Sequence, residues 1–241
     1  MKNLLIVVGI LFLLGVSSNV LAQGFTFHGT MAFPQTDFGN DKAGEENAGF
    51  ANMGFGGGIE FLSSELGKKF YWIGSLNFLH HGVGDDLYQI FDDLDSTSIV
   101  FEPDNVGLTA YNCMYLTTGV RFKNMFDRKK KEFGMYIDGQ IGMSMVYGPN
   151  YDYSYDNGTP SDISDDIEES IDWDLSNSFT FSIGAGFVLW SKVLIGVKYV
   201  NLTSLDFDGT FNDVIGGFEK DVKLKQSIST ISLNLGLTFQ N

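Results

Sequence analysis

The stretch Phe133-Gly134-Met135-Tyr136-Ile137-Asp138-Gly139-Gln140-Ile141-Gly142-Met143-Ser144-Met145-Val146-Tyr147 decides the fold. Its odd positions are Phe, Met, Ile, Gly, Ile, Met, Met and Tyr, whereas its even positions are mostly small or polar. Successive side chains of a β-strand point to opposite faces, so a period of two marks a strand with one apolar face and one small polar face. A helix would group its apolar residues every three or four positions, and this stretch does not.

Working outward, the same period recurs in seven other segments separated by turn-rich stretches, which predicts strands at 25–33, 51–62, 69–81, 106–122, 132–147, 177–190, 193–204 and 226–239. The apolar parity runs from Phe25, Phe27, Gly29, Met31 and Phe33 through to Ile231, Leu233, Leu235, Leu237 and Phe239. Only Asn112 and Thr118 on it are polar, and none of its residues is charged. The opposite parity holds residues such as Thr26, His28, Gly58, Ser75, Thr117, Gln140, Ser182, Gly196 and Asn234, and its only charges are Glu60, Arg121, Asp138 and Lys198.

Which parity faces out decides the class of protein. In a soluble barrel the second parity would meet water, where roughly 25–35% charged residues are expected, and four charges over eight strands fall far short. Turned the other way, the apolar parity meets lipid and the small polar parity fills a narrow lumen. The expected fold is therefore all-β, an eight-stranded antiparallel up-and-down transmembrane β-barrel. Loop lengths agree. The connections at 34–50, 82–105, 148–176 and 205–225 are long and those at 63–68, 123–131 and 191–192 are short, in strict alternation. Such a barrel with both ends in the periplasm has long extracellular loops and short periplasmic turns in this order.

The first 22 residues read as a signal peptide. Lys2 supplies a positive start, residues 4–16 an apolar core, and Val20-Leu21-Ala22 a small-residue cleavage site before Gln23. The apolar run is short of the roughly 20 residues that a membrane-spanning helix needs. The expected division is thus 1–22 signal peptide and 23–241 barrel, with the mature chain in the cell outer membrane.

Thirty acidic residues against 15 basic ones give a net charge of −15. That excludes a nucleic-acid surface, which needs a concentrated basic patch. One cysteine, Cys113, and three histidines cannot build a thiolate zinc cluster, so neither a metal nor a cofactor is expected. The charge is unevenly spread: the four long loops carry 25 of the 30 acids, whereas the short turns carry Lys68, Lys69, Lys123, Arg128, Lys129, Lys130, Lys131 and Lys192. The 148–176 loop holds Asp152, Asp156, Asp162, Asp165, Asp166, Glu168 and Glu169. Read plainly this is a solvated loop; read functionally it is a place for divalent cations, which prefer several oxygen ligands, or for an extracellular ligand. The nearest motif, starting at Asp152, lacks the Gly and Glu of an EF-hand.

With signal peptide, eight alternating strands, loop alternation and the terminal amphipathic strand from Ser229 to Phe239, the chain resembles the small eight-stranded outer-membrane barrels of the OmpA transmembrane domain and OmpX, including the PorT-like barrel families. The resemblance implies outer-membrane lipid and the barrel-assembly machinery as partners, and an apolar parity with no break to mark a protein–protein seam makes a monomer the expectation. The family's assembly signal ends in an aromatic residue; here Phe239 is followed by Gln240 and Asn241.

Glu60, Arg121, Asp138 and Lys198 fall at similar depth, and a desolvated charge is costly unless paired. A salt-bridge plug held with Asn77, Gln140 and Asn234 is expected, because eight strands leave an interior that side chains just fill. The alternative is a gate in a narrow small-solute channel. An outer-membrane lipid-modifying enzyme is a further alternative, but no spacing of a nucleophile with His28, His80 or His81 supports it, so no catalytic residue is expected. The function expected is a structural or surface-interaction role.

Overall fold

The computed structural model describes residues 24–40, 48–65, 69–84, 105–126, 132–155, 167–213 and 217–240. The signal-peptide expectation lies outside them. Eight strands form the ring: β1 (Gly24–Gln35), β2 (Ala51–Glu65), β3 (Phe70–Val83), β5 (Tyr111–Met125), β6 (Phe133–Tyr147), β9 (Ser176–Leu189), β10 (Val193–Asp213) and β11 (Phe218–Gln240). Each pairs antiparallel with its neighbours in chain order, and β11 closes the ring by pairing with β1 from Gly24↔Gln240 to Gln35↔Ser229. Three further strands, β4 (Asn105–Leu108), β7 (Tyr151–Tyr155) and β8 (Ile167–Trp173), stand at the long-loop end.

The parity of the sequence sets the two surfaces. Phe25, Phe55, Ile137, Ile183, Leu235 and other large apolar residues of the same parity on the strands are 38–62% exposed on the outside. An apolar belt running round the whole circumference far exceeds the few hundred Å² that soluble monomers expose. Inside, Thr26, Ser75, Thr117, Gln140, Ser144, Ser232 and Thr238 are buried. The core of this protein is therefore its lumen.

Three sequence expectations change. The fourth strand does not run unbroken from 106 to 122. Thr109 and Ala110 interrupt it, Thr109 turns its amide to the Asn150 carbonyl (3.0 Å), and the Asn150 amide is held by Thr109 Oγ1 (2.7 Å). Leu108 thus pairs with Tyr151 away from the belt. Second, the 205–225 stretch is not a loop: β10 and β11 stay paired up to Asp213↔Phe218. A bilayer needs only about 9–11 residues of strand, so these strands of 21 and 23 residues project well past it. Third, the 148–176 stretch contains β7 and β8, which join the projecting hairpin in a sheet of order β11-β10-β8-β7-β4.

The bend between ring and projection is local. The β10–β11 register shifts between Asn201 and Ser204, Thr203 takes a left-handed φ of 53°, and Asn201 Oδ1 accepts from the Thr203 amide at 2.7 Å. A bulge of this kind increases twist and re-aims a strand. At the opposite end, Trp190 and Ser191 are both left-handed and the Lys192 amide reaches the Leu189 carbonyl (2.9 Å), closing a tight turn whose three residues, Trp190 to Lys192, link β9 to β10.

Candidate functional site

The lumen is built in three layers. In the middle layer, β2 supplies Glu60, β5 Arg121, β6 Asp138 and β10 Lys198, and the structure brings all four together. Arg121 Nη2 lies 2.6 Å from Asp138 Oδ2 and 2.8 Å from Glu60 Oε2, and its Nε donates to the same Asp138 oxygen at 3.0 Å. Lys198 Nζ donates to Glu60 Oε1 at 3.1 Å. The order is Asp138–Arg121–Glu60–Lys198, with charges alternating along the chain. The Arg121 side chain is 2% exposed and that of Asp138 0%. Burial at this depth is tolerated only because each charge faces its opposite. The Tyr136 ring covers the guanidinium 4.4 Å from its carbon, a cation–π contact.

Neutral groups complete the layer. Gln140 Nε2 donates to Asp138 Oδ1 at 3.4 Å, and Gln140 Oε1 accepts from Ser75 and Thr117 at 2.7 Å each. Asn77 Nδ2 donates to Ser75 Oγ (3.1 Å), and Asn77 Oδ1 holds His28 Nε2 (3.0 Å). Asn234 accepts from Thr30 (2.7 Å) on the other wall. Glycines make room for these large groups. A Cβ on Gly184 would come within 2.9 Å of Asp138 Oδ1, one on Gly58 within 2.7 Å of Asn77 Oδ1, and one on Gly196 would collide with the Tyr136 hydroxyl. The inward glycines are therefore the sockets of the inward long side chains.

Towards the short turns, Tyr136, Val188 and Leu194 pack together, with Met125 against them. Towards the long loops the lumen also fills with large apolar side chains, which the small polar parity read from the sequence did not include. Leu79, Cys113, Tyr115, Val146, Val200, Leu202, Leu205, Phe207 and Ile228 form one buried cluster there. Its centre is Phe38, which sits on a 3-10 turn (Thr36–Gly39) that follows β1 and is 0% exposed. The Phe38 ring meets His81 and Tyr111 edge to face, each at 5.1 Å, an arrangement favoured by the ring quadrupoles. His81 Nδ1 donates to the Asn52 carbonyl (3.1 Å), since a carbonyl can only accept. His81 is fully buried, while His80 is exposed and bonded to Asn112 (2.9 Å).

Above the mouth, the alternation of the projecting sheet continues. Leu205, Phe207, Leu224 and Trp173 turn down onto the cluster. The opposite face carries Asp206, Asp208, Asp172, Asp152, Glu168, Lys223 and Lys225, by register. Lys223 Nζ reaches Asp208 Oδ1 at 2.8 Å, with both side chains exposed. Of the acidic residues singled out in the sequence, Asp152 lies on β7 and Glu168 and Glu169 on β8; Asp156, Asp162, Asp165 and Asp166 lie outside the described residues. Among the described residues no group of three or more His, Cys, Asp and Glu is placed to hold a metal ion.

Sequence reading missed Phe38 and the apolar upper lumen. The available signal was a single Phe in a polar, acidic loop, Thr36-Asp37-Phe38-Gly39, where nothing but burial accounts for it.

A closed antiparallel ring of eight, apolar outside and filled inside, defines a small transmembrane β-barrel. No protein-family model matches the chain, and no curated protein matches its sequence. Among solved structures it is similar to the neisserial surface protein A, with 8% identity over 90% of this chain and 96% of that one and a TM-score of 0.46. It is also similar to the outer membrane protein OprG of Pseudomonas aeruginosa, with 12% identity, 91% and 97% coverage and a TM-score of 0.47. A major outer membrane protein of Thermus thermophilus has 10% identity, 90% and 98% coverage and a TM-score of 0.46.

Proposed function

We propose that this chain is an outer-membrane barrel, inserted with its short turns in the periplasm, that conducts nothing and does no chemistry. It acts as a structural or surface-interaction protein, and its acidic outer sheet is the contact surface. The observation that carries this reading is that side chains occupy the lumen at three levels, Tyr136 with Leu194, the four-residue ion chain, and the cluster around Phe38. A pore would need both the Glu60–Arg121 contact and the Phe38 plug withdrawn. The outer sheet supports the second half of the reading, because it presents a charged face raised beyond the apolar belt, and divalent cations or an extracellular ligand are the partners that such a face fits.

Two measurements test it. The refolded barrel, its folding confirmed by a boiled-versus-unboiled gel shift, is placed in a planar bilayer, where the expected record is silent. Reproducible open steps that change when Arg121 or Lys198 is neutralised would replace the plug with a channel. Protease added to intact cells should cut within 148–176, and protection of that segment would reverse the orientation.

A further inference from the structure

The outside of the barrel is not evenly clad. Gly29 on β1 and Gly57 on β2 oppose each other in register, and both share the outward parity. Below them stand Phe27 and Ile59, above them Met31 and Phe55, and beside Gly29 lies Leu235. Where Gly29 lacks a side chain there is an apolar notch of about 610 Å³, lined also by Phe27, His28, Gly58, Ile59, Leu235, Leu237 and Phe239. A Cβ placed on Gly29 would meet nothing within 4 Å.

What lies below the notch suggests its occupant. Leu235 is level with Ile195 on β10, three residues above Lys192, which is about 10 Å of strand. Lys192 is exposed in its turn, and its carbonyl accepts from the Thr238 amide at 2.6 Å, so the turn abuts the end of β11 beside Phe239. Phe239 stacks on Phe25 at 5.4 Å, and Trp190 is 65% exposed in the same turn. Aromatic rings of this kind sit at the headgroup level. Glu132 is joined through its carbonyl to Trp190 on the β6 side of the turn, away from β11. A cation at headgroup depth with an apolar groove about 10 Å deeper has the dimensions of half a bilayer, whose hydrocarbon thickness is about 15 Å per leaflet.

We propose that the notch seats one acyl chain of an anionic glycerophospholipid whose phosphate pairs with Lys192. The chain gains walls on three sides in place of mobile neighbours, and so the dispersion contacts that Gly29 leaves unmade. The ammonium selects the headgroup by charge. This inference rests on the membrane placement proposed above, with the short turns at the inner leaflet.

The test is native mass spectrometry of the folded mature barrel in detergent. It is supplied with phosphatidylglycerol or phosphatidylcholine of identical chains at equal mole fraction. One phosphatidylglycerol should be retained per barrel, about tenfold in preference to phosphatidylcholine, a difference of about 1.4 kcal/mol. Gly29→Leu, which fills the notch without a clash, should lower retention of both lipids, with folding checked by gel shift. Lys192→Gln should abolish the preference and leave phosphatidylcholine binding as it was. Equal retention of both lipids by the wild type, or retention indifferent to Gly29→Leu, would overturn the proposal. Dimers that Gly29→Leu dissolves would assign the notch to a second copy instead. These readouts do not depend on cellular location, so a barrel that binds lipid as stated but fractionates away from the outer membrane would overturn only the placement.

Discussion

Replacing Arg121 by Met keeps a long side chain under the Tyr136 ring but removes the cation that holds Asp138. Glu60 retains Lys198 at 3.1 Å, whereas Asp138, with a side chain 0% exposed, is left with Gln140 Nε2 at 3.4 Å. Removing one partner of a buried pair costs about 3–5 kcal/mol, because the remaining charge is uncompensated. With a urea dependence of roughly 2 kcal/mol per molar for a small protein, the unfolding midpoint should fall by about 2 M. The assay is urea titration of the barrel in vesicles, followed by the fluorescence of its tryptophans and by gel shift. Arg121→Met combined with Asp138→Asn should recover most of the loss, since no lone carboxylate then remains. A midpoint unmoved by Arg121→Met, or a double variant no more stable than the single one, would refute the ion-chain argument.

Phe38→Ala should leave the ring folded and cost about 3–5 kcal/mol, seen as a lower urea midpoint, because a fully buried ring leaves a cavity in the upper layer. The barrel should stay silent in a bilayer, because the ion chain still fills the lumen beneath it; conductance steps in Phe38→Ala would show that Phe38 alone closes the path. Gly196→Ala should lower the urea midpoint, because the new methyl collides with the Tyr136 hydroxyl, and Tyr136→Phe in the same chain should restore part of it. Lys223→Ala should leave the midpoint where it is: its partner Asp208 is exposed, and exposed ion pairs contribute little.

The belt was legible in the sequence because lipid enforces it. A strand buried in a bilayer has no latitude on its outer face, so Ile137, Ile183 and Leu235 are apolar for the same reason, and counting in twos finds them. The four lumenal charges were legible by the same count, as the exceptions on the small polar parity. The upper lumen was not, because its central residue comes from a four-residue turn that has no period. Thr36 enters that turn through a left-handed φ of 55° that no local pattern announces. The outer sheet lay between these cases. Leu205, Phe207 and Phe211, on one face with Leu224 and Val222, continue the alternation past the bilayer, but a count tied to membrane thickness stops before reaching them. The break at Thr109 depends on Asn150, 41 residues away, and is invisible to any local reading.

The ion chain also bears on how the barrel closes. Arg121 and Asp138 sit on adjacent strands and can meet as soon as one hairpin forms. Glu60 and Lys198 are 138 residues apart and meet across the lumen. Until β11 pairs with β1, an unfinished sheet therefore leaves the Lys198 ammonium without its Glu60 partner on a surface destined for the interior. Such a sheet is kept wet by its own charges, and it becomes compatible with hydrocarbon only at the moment its ends join. The cost that would make each residue a liability alone turns the group into a test of completeness, passed by a closed ring and failed by every arc of it.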